Sequence, residues 1–314
     1  MKLKALSHYD NDTDTRYGDC ILLYDDAQMV VYDCGHTKHA EYVESFLGRF
    51  PGIASVHIVV SHNDSDHTDG VCELLEWLHA QGKYTVKVYT HQYLKHVDTI
   101  LDKVDDGRRN RESLKDALIT EFDNINDIIE TAEDFNFSCV EALQGTTVGL
   151  CTIVGPTVDE FTDVAAKAVD NREGDTVGEG LAAESVMNAA SLQLKCTLSN
   201  GNKVLLCGDA SPDYLKNLAD YEYIQLPHHG QEDDAKAIFE TLGGKAHLKS
   251  YLISDNTGSA EHSGGSDDVL KHMKKEKYVD PHNTKNGIVD LPKYSAVTST
   301  TSQERKYLGE LDSI

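Results

Sequence analysis

The chain has 314 residues and a formal net charge of −24 at pH 7, from 53 acidic and 29 basic side chains. This charge argues against a long basic nucleic-acid groove as the dominant surface and against an anionic membrane as partner. No apolar run approaches the roughly 20 residues of a membrane helix, and the first residues have no apolar signal core. The seven cysteines are scattered and form no Cys-x-x-Cys pair. We therefore expect a cytoplasmic protein with reduced thiols rather than a disulfide or zinc scaffold.

The first ninety residues alternate apolar runs with turn signals. Residues 20–24 and 29–33 predict a hairpin across Asp25 and Asp26, and residues 56–60 predict a strand covered on both faces. Residues 86–89 also predict a strand. Apolar residues at helical spacing predict helices in three places, with the last one an inserted helical segment. These places are residues 39–49, 70–81 and about 92–135.

The rest of the chain is again rich in predicted strands, at residues 148–154, 191–198, 203–207, 221–226, 250–254 and 286–291. Helices are predicted between them, at residues 158–170, 211–220, 233–242 and 267–277. Two strand-rich halves with interspersed helices indicate an α/β domain in which two sheets pack together and helices lie outside. We assign residues 1–292 to this domain and residues 293–314 to a polar C-terminal tail.

The densest group of polar residues directly follows the strand predicted at 56–60. His62, Asp64, Asp66 and His67 lie within six residues, and an amphipathic helix is predicted after them. If the chain stays extended, residues 62, 64 and 66 share one side, and the following turn brings His67 around. Sites in layered folds lie at such strand-to-helix loops. Because one ion would leave ligands and like charges unpaired, this density indicates two divalent metal ions.

Three further groups stand at the ends of predicted strands. Asp209 follows Gly208, and the adjacent His228 and His229 stand between a proline and a glycine. Asp33 ends the second strand of the predicted hairpin, where it can orient a ligand histidine. Together with the residues 62–67, these side chains complete a two-ion site.

These motifs resemble the metallo-β-lactamase superfamily, whose signature is His-x-[His/Asp]-x-Asp-His with an upstream Asp-x-Gly and downstream Asp and His. The chain is most similar to the hydrolase domain of bacterial ComEC-type DNA-uptake proteins. It shares their Gly-Asp-x-Ile-Leu motif near the start (residues 18–22), an Asn/Ser-Leu strand (188–192), Gly-Asp and His-His-Gly. The resemblance runs from about residue 17 to residue 291 and implies a four-layer αββα metallo-β-lactamase sandwich.

The resemblance also implies a role for each residue. His62 and Asp64 would hold one ion, Asp66, His67 and His229 would hold the other, and Asp209 would bridge them. A hydroxide between the ions would be the nucleophile. Asp66, His228 and Asp33 are the expected catalytic residues, with His228 facing the substrate phosphate and Asp33 behind the ligands.

One departure from the superfamily concerns the first ion. Members with a complete first site supply another histidine before the bridging aspartate, whereas here no histidine lies between His96 and His228. We therefore expect a weaker, oxygen-rich first site. Its ligands suit Mn²⁺ or Mg²⁺ more than a histidine-rich site would, with Zn²⁺ as the other option.

The expected function is that of a metal-dependent phosphodiesterase, in the first place a nuclease cleaving DNA or RNA. The alternatives are a hydrolase of a small phosphodiester or cyclic nucleotide, and lactonase-type ester hydrolysis, since a fold alone does not settle function. From another class, the chain could be a non-catalytic metal-binding subunit of a larger assembly. The expected partners are a phosphodiester substrate and, as an option, a protein subunit that supplies positive charge; a membrane is not expected.

Several other residues stay open at this point. His36 and His262 are as consistent with ordinary loop positions as with a pocket. Cys34 and Cys207 are expected to be small buried side chains. The basic residues of the inserted segment are expected to form a solvated face, with phosphate contact as the alternative; they are Arg108, Arg109, Arg111 and Lys115.

Overall fold

A computed structural model describes residues 1–11, 15–104, 111–174, 187–256 and 266–293. The predicted residues Arg108, Arg109 and His262, and nearly all of the tail at 293–314, lie outside these ranges. No helix in the described ranges is long and apolar enough to cross a membrane.

The strands fall into two seven-stranded sheets and one small hairpin. In chain order they are β1 (Lys2–Ala5), β2 (His8–Asp10), β3 (Thr15–Tyr17), β4 (Ile21–Tyr24), β5 (Gln28–Tyr32), β6 (Ser55–Val59), β7 (Thr85–Thr90), β8 (Ser138–Glu141), β9 (Thr147–Val148), β10 (Cys151–Gly155), β11 (Gln193–Thr197), β12 (Lys203–Leu206), β13 (Tyr223–Gln225), β14 (Ser250–Ile253), β15 (His282–Asn283) and β16 (Val289–Leu291). The first sheet has the order β16-β1-β4-β5-β6-β7-β8, and the second has the order β15-β14-β13-β12-β11-β10-β9.

The α-helices lie between these strands along the chain. They are α1 (Thr37–Arg49), α2 (Ser65–Thr68), α3 (Val71–Gln81), α4 (Val97–Lys103), α5 (Arg111–Glu121), α6 (Asp123–Asp134), α7 (Val158–Gly174), α8 (Glu232–Leu242) and α9 (Ser266–Lys275). Short 3₁₀ turns also occur, among them Tyr93–His96, Pro212–Tyr214, Leu218–Asp220, His228–Gly230 and Gly243–Leu248. The turn at 93–96 and helices α4 to α6 lie in the segment predicted to be an inserted helical region, of which residues 105–110 are outside the described ranges.

Three buried apolar clusters define four layers. The central cluster joins the two sheets, with Leu3, Val30 and Val59 from the first and Leu194 and Leu206 from the second. A second cluster packs α1 and α3 on the outer face of the first sheet, and a third packs α8 and α9 on the outer face of the second. Because every second residue of a strand faces the other side, each sheet supplies two of these clusters. The fold is therefore the predicted αββα sandwich.

The predicted hairpin is confirmed, since β4 and β5 pair antiparallel with Ile21 opposite Tyr32. Two other predictions are wrong. Residues 148–154 do not form one strand, because Gly149 adopts a φ of 55° and turns the chain from β9 into β10. Residues 211–220 form two 3₁₀ turns rather than a helix, because Asn217 takes a left-handed conformation between them.

The expectation that all cysteines are free thiols is also wrong. Cys151 and Cys196 form a disulfide, and their Cα atoms are 4.7 Å apart on the neighbouring strands β10 and β11. The other five cysteines are free.

Candidate metal centre

The predicted site residues meet because parallel strands of both sheets end at one edge of the sandwich. In the first sheet β5 and β6 run parallel, and in the second sheet β12, β13 and β14 run parallel. Asp33 follows β5 and the 61–67 segment follows β6, while Asp209 follows β12 and His229 follows β13. Loops at the carboxyl ends of parallel strands are where α/β folds place their sites. Residues far apart in the chain therefore converge at this edge.

The 62–67 segment is not extended throughout, as the alternation argument assumed. Asp64 is extended at the start of α2, and Asp66 and His67 lie within that helical turn. The loop after β5 packs directly on this turn, because a Cβ atom at Gly35 would lie 1.5 Å from the carbonyl oxygen of Asp66. The backbone N–H of Cys34 donates to the carbonyl of His67 at 3.0 Å. Close backbone contact therefore fixes Asp66 and His67 in place.

Asp33 determines which nitrogen of His67 faces the site. Its Oδ1 accepts the backbone N–H of Ser61 at 2.7 Å, and its Oδ2 accepts the Ser61 hydroxyl at 2.7 Å. The same Oδ2 lies 2.9 Å from Nδ1 of His67. Since a carboxylate only accepts hydrogen bonds, Nδ1 of His67 carries a proton and Nε2 is the nitrogen that faces the site.

Ser61 determines in the same way which nitrogen of His62 carries a proton. Its hydroxyl hydrogen is given to Asp33, so its oxygen accepts a hydrogen bond from Nδ1 of His62, 2.9 Å away. Nε2 of His62 is then unprotonated. Both Nε2 atoms are buried and have no hydrogen-bond partner among the described residues. Leaving a buried polar atom without a partner is costly, and a bound cation would relieve this cost at both nitrogens.

Asp19 is the residue that the sequence analysis missed as part of the site. Its carboxylate is 3% exposed, and its Oδ2 lies 2.7 Å from Nδ1 of His229. The carbonyl oxygen of Ser254 lies 3.2 Å from the same nitrogen. With two acceptors beside it, Nδ1 of His229 is the protonated nitrogen, and Nε2 faces Asp66 at 3.2 Å and Asp209 at 3.5 Å. The Gly18-Asp19 motif was visible in the sequence, but only as part of the resemblance.

Six buried or half-buried groups therefore face one another. Two subsets have ligand atoms that all lie within 4.8 Å of one another: His62, His67 and Asp209 in one, and Asp19, Asp66, His67 and His229 in the other. Asp209 lies between the two, with Oδ1 at 3.6 Å from Nε2 of His67 and Oδ2 at 3.5 Å from Nε2 of His229. His67 belongs to both subsets, whereas the sequence analysis assigned it to one ion. These imidazole and carboxylate ligands are the donors that divalent transition metals prefer.

Asparagine side chains hold two of the carboxylates. Nδ2 of Asn188 donates to Oδ2 of Asp64 at 2.7 Å, and Nδ2 of Asn256 donates to Oδ2 of Asp66 at 2.6 Å. Asp64 lies outside the two compact subsets, with Oδ2 at 3.5 Å from Nε2 of His62. Asn188 holds Asp64 from the turn that precedes β11, and not from a strand as the sequence analysis expected for residues 188–192.

The electrostatics of the centre favour positive charge. Burial would lower the pKa of His67 and His229, but the neighbouring carboxylates, Asp19 and Asp209 foremost, raise both pKa values well above the ordinary range. Burial would raise the pKa of Asp209, but His229 and His67 hold it well below its usual range. A cluster of buried carboxylates attracts protons when no other cation is near, and a divalent ion supplies that charge directly.

His228 points to a different partner from His229. The two residues do not lie in an extended segment, as the sequence analysis assumed, because both adopt left-handed φ values of 48° and 55°. Nδ1 of His228 lies 2.5 Å from Oδ2 of Asp234 on α8, and its side chain is 24% exposed. Burial lowers the pKa of His228, but Asp209 and the hydrogen bond to Asp234 raise it overall. His228 thus lies at the rim of the centre, with a pKa above its ordinary value.

The remaining candidates lie outside the two ligand subsets. His36 caps α1, its Nδ1 accepting the backbone N–H of Lys38, and its ring stacks near Tyr17. Cys34 and Cys207 are fully buried, and the thiol of Cys207 donates to the carbonyl of Gln225. His36 is therefore a capping residue.

Comparison with solved structures finds chains that are similar to this one in structure. No protein-family model matches the chain, and no curated protein matches it. The chain is similar in structure to the metallo-beta-lactamase fold protein YhfI from Bacillus subtilis, with 13% identity and a TM-score of 0.49. The match covers 92% of this chain and 98% of that one. The ComEC-type branch stays a prediction from the motifs.

Proposed function

We propose that the protein is a metal-dependent hydrolase of phosphodiester bonds and that nucleic acid is its first substrate class. The observation that carries the proposal is the set of three buried imidazoles, each with Nδ1 held by an acceptor and Nε2 turned toward carboxylates. Histidines that ligate a metal ion almost always donate their other ring N–H to an acceptor in this way.

The ligand assignment departs from the first subset in one respect: Asp64, 3.5 Å from Nε2 of His62, takes the place of His67, which stays with the other ion. His62, Asp64 and the shared Asp209 would hold one ion, and Asp66, His67 and His229 would hold the other, with Asp19 behind His229 or as a further ligand. Divalent ions in such a centre lower the pKa of water and stabilise charge on a phosphate. Zn²⁺ and Mn²⁺ suit this donor set, and Mg²⁺ suits its oxygen-rich part.

The chain's own residues supply the rest of the chemistry. Asp33 and Ser61 hold His67 and His62 in the tautomers that leave Nε2 unprotonated. His228, with its raised pKa and partial exposure, can contact a phosphate oxygen or protonate a leaving group. The 2.5 Å contact to Asp234 fixes the orientation of the His228 ring for this task.

The net charge of −24 favours a second candidate, hydrolysis of a small phosphodiester such as a cyclic nucleotide. A polyanion is repelled by a strongly acidic surface, whereas a small ester has little charge to repel. Both candidates use the same centre.

The test is hydrolysis of bis-p-nitrophenyl phosphate, plasmid DNA, single-stranded DNA and RNA by the purified protein with Mn²⁺, Zn²⁺ or Mg²⁺. We expect turnover of at least one phosphodiester, abolished by chelation and by Asp209→Asn. Asp213→Asn is the matched control, since Asp213 is exposed four residues further along the chain. Metal-loaded, folded protein that turns over none of these substrates would refute the proposal.

A further inference from the structure

The outer face of the second sheet carries a cleft that the metal centre does not use. The cleft has a volume of about 320 Å³, and its lining includes Gln144, Gln193, Lys195, Lys203 and Lys216. Lys203 begins β12, whereas Asp209 of the metal centre follows the other end of that strand. The cleft therefore lies away from the site described above.

The strand register brings two of the lysines together. Lys195 of β11 lies opposite Leu205 of β12, and Lys203 is two residues from Leu205 on the same strand. Diagonal neighbours of this kind have Cα atoms roughly 7–8 Å apart on one face of a sheet. Leu205 itself belongs to the outer apolar cluster under α8, so this is the outward face. Beyond the apolar cluster, the same face presents Lys195 and Thr152, which pair across β10 and β11.

The charge of the cleft is opposite to that of the whole chain. Three lysines and one aspartate, Asp220, line it, in a protein whose net charge is −24. Lys216 forms an ion pair with Glu160. Within the described ranges, neither Lys195 nor Lys203 forms an ion pair. The Glu222 carboxylate contacts Lys203 only at the backbone, where it accepts the Lys203 N–H at 2.7 Å. Two ammonium groups therefore face the cleft without a carboxylate partner.

Uncharged donors complete the lining. Gln193 is 2% exposed and donates from Nε2 to the carbonyl of Tyr214 at 3.3 Å, which fixes its side chain at the base of the cleft. Gln144 donates to the carbonyl of Val154 at 3.1 Å on the opposite wall. Lysine ammonium groups beside amide and hydroxyl groups form a typical environment for phosphate oxygens.

We propose that this cleft binds a small phosphate-bearing anion with at least two negative charges. The volume is in the range of small-molecule sites. A polynucleotide would need a basic track continuing over the surface, whereas here the lysines gather in one concavity on an acidic protein. Lys195 and Lys203, which form no ion pair in the described ranges, supply two positive charges for a dianion, whereas Lys216 is already paired with Glu160.

The test is calorimetric titration of chelator-treated full-length protein with inorganic pyrophosphate at fixed ionic strength. Without metal, the carboxylates of the other centre repel the probe, so binding reports on the cleft. We expect saturable binding that weakens by about tenfold or more in Lys195→Gln/Lys203→Gln, because each ammonium group interacts directly with a phosphate. Lys245→Gln is the matched control, since Lys245 is exposed and lies outside the cleft. The affinity of this variant for pyrophosphate should stay within about twofold of that of the unsubstituted protein.

Three results would overturn the proposal: no saturable binding to the unsubstituted protein, equal binding by the double variant, or binding that appears only after metal is added. Thermal melts establish that each variant is folded. If the double variant does not fold, the pyrophosphate affinity of the single variant Lys203→Gln is measured instead, because Lys203 is exposed at the start of its strand and tolerates substitution. Unchanged affinity in that single variant contradicts the proposal.

Discussion

Replacing Asp33 by asparagine should weaken metal binding while leaving the fold intact. Asp33 has a φ of 58°, a left-handed conformation that asparagine also tolerates, so the backbone is unstrained by the change. The amide oxygen must face the backbone N–H of Ser61, since the alternative orientation would point one donor at another. The amide nitrogen then faces Nδ1 of His67, which can only accept its hydrogen bond.

This exchange moves the proton of His67 to Nε2, the atom that faces Asp209 at 3.6 Å. A protonated Nε2 cannot ligate a metal ion. Loss of such an orienting partner typically weakens metal binding by about 10- to 100-fold, which is about 1.4–2.7 kcal/mol. The altered buried hydrogen bonds should cost about 1–3 kcal/mol of the free energy of unfolding, which a chain of this size can tolerate.

The assay is competition for Zn²⁺ or Mn²⁺ against a chromophoric chelator, with urea unfolding of the metal-free proteins alongside. Asp234→Asn is the matched control, because Asp234 also contacts an imidazole, that of His228, which is not a proposed ligand. It should keep full metal affinity. If Asp33→Asn binds metal as tightly as the unsubstituted protein, the tautomer argument is wrong.

Three other predictions concern the histidines and the metal. The His228→Ala variant should keep its metal, but its rate of hydrolysis should fall by about a hundredfold or more. The His229→Ala variant should lose both metal and activity. Metal content and hydrolysis rate, measured side by side on both variants, would reveal whether the two roles are reversed. Burial and His36 lower the pKa of His39 to about 3. The stabilisation by the neutral His39 side chain is therefore complete above pH 6.5 and is lost as the pH falls toward 3. The loss amounts to at most about 1.4 kcal/mol of the free energy of unfolding per pH unit. In urea titrations His39→Leu should therefore lose less stability than the unsubstituted protein between pH 6.5 and 4.5, and parallel losses would contradict this. Zn²⁺ or Mn²⁺ added to chelator-treated protein, at a hundred times the dissociation constant of the metal, should raise the free energy of unfolding by about 2.7 kcal/mol. This change would be seen as a rise of several degrees in Tm. An unchanged Tm would count against a site formed only in the folded state.

The sequence predicted the layers of the fold because buried strands and amphipathic helices have different apolar periods. It failed where local geometry interrupts an apolar run. Residues 148–154 are almost all apolar, and only the left-handed conformation of Gly149 shows that two strands are present. The predicted helix at 211–220 fails at Asn217 for a similar reason.

The candidate site was predictable in its residue types but not in its contacts. The 62–67 cluster and His229 stand out because histidines and aspartates concentrate at strand ends. The contact between Asp19 and His229 spans 210 residues of sequence, and no local pattern encodes it. Likewise, the sharing of His67 between the two subsets depends on the helical turn of α2, which alternation along an extended chain cannot reveal.

The most direct test of the account is an anomalous-diffraction map of crystals grown with Mn²⁺ or Zn²⁺. We expect two peaks, one about 2.0–2.3 Å from Nε2 of His62 and the other about 2.0–2.3 Å from Nε2 of His229, with Asp209 between them. A map with no peak at this edge of the sandwich, or with metal on the Nδ1 atoms, would contradict it.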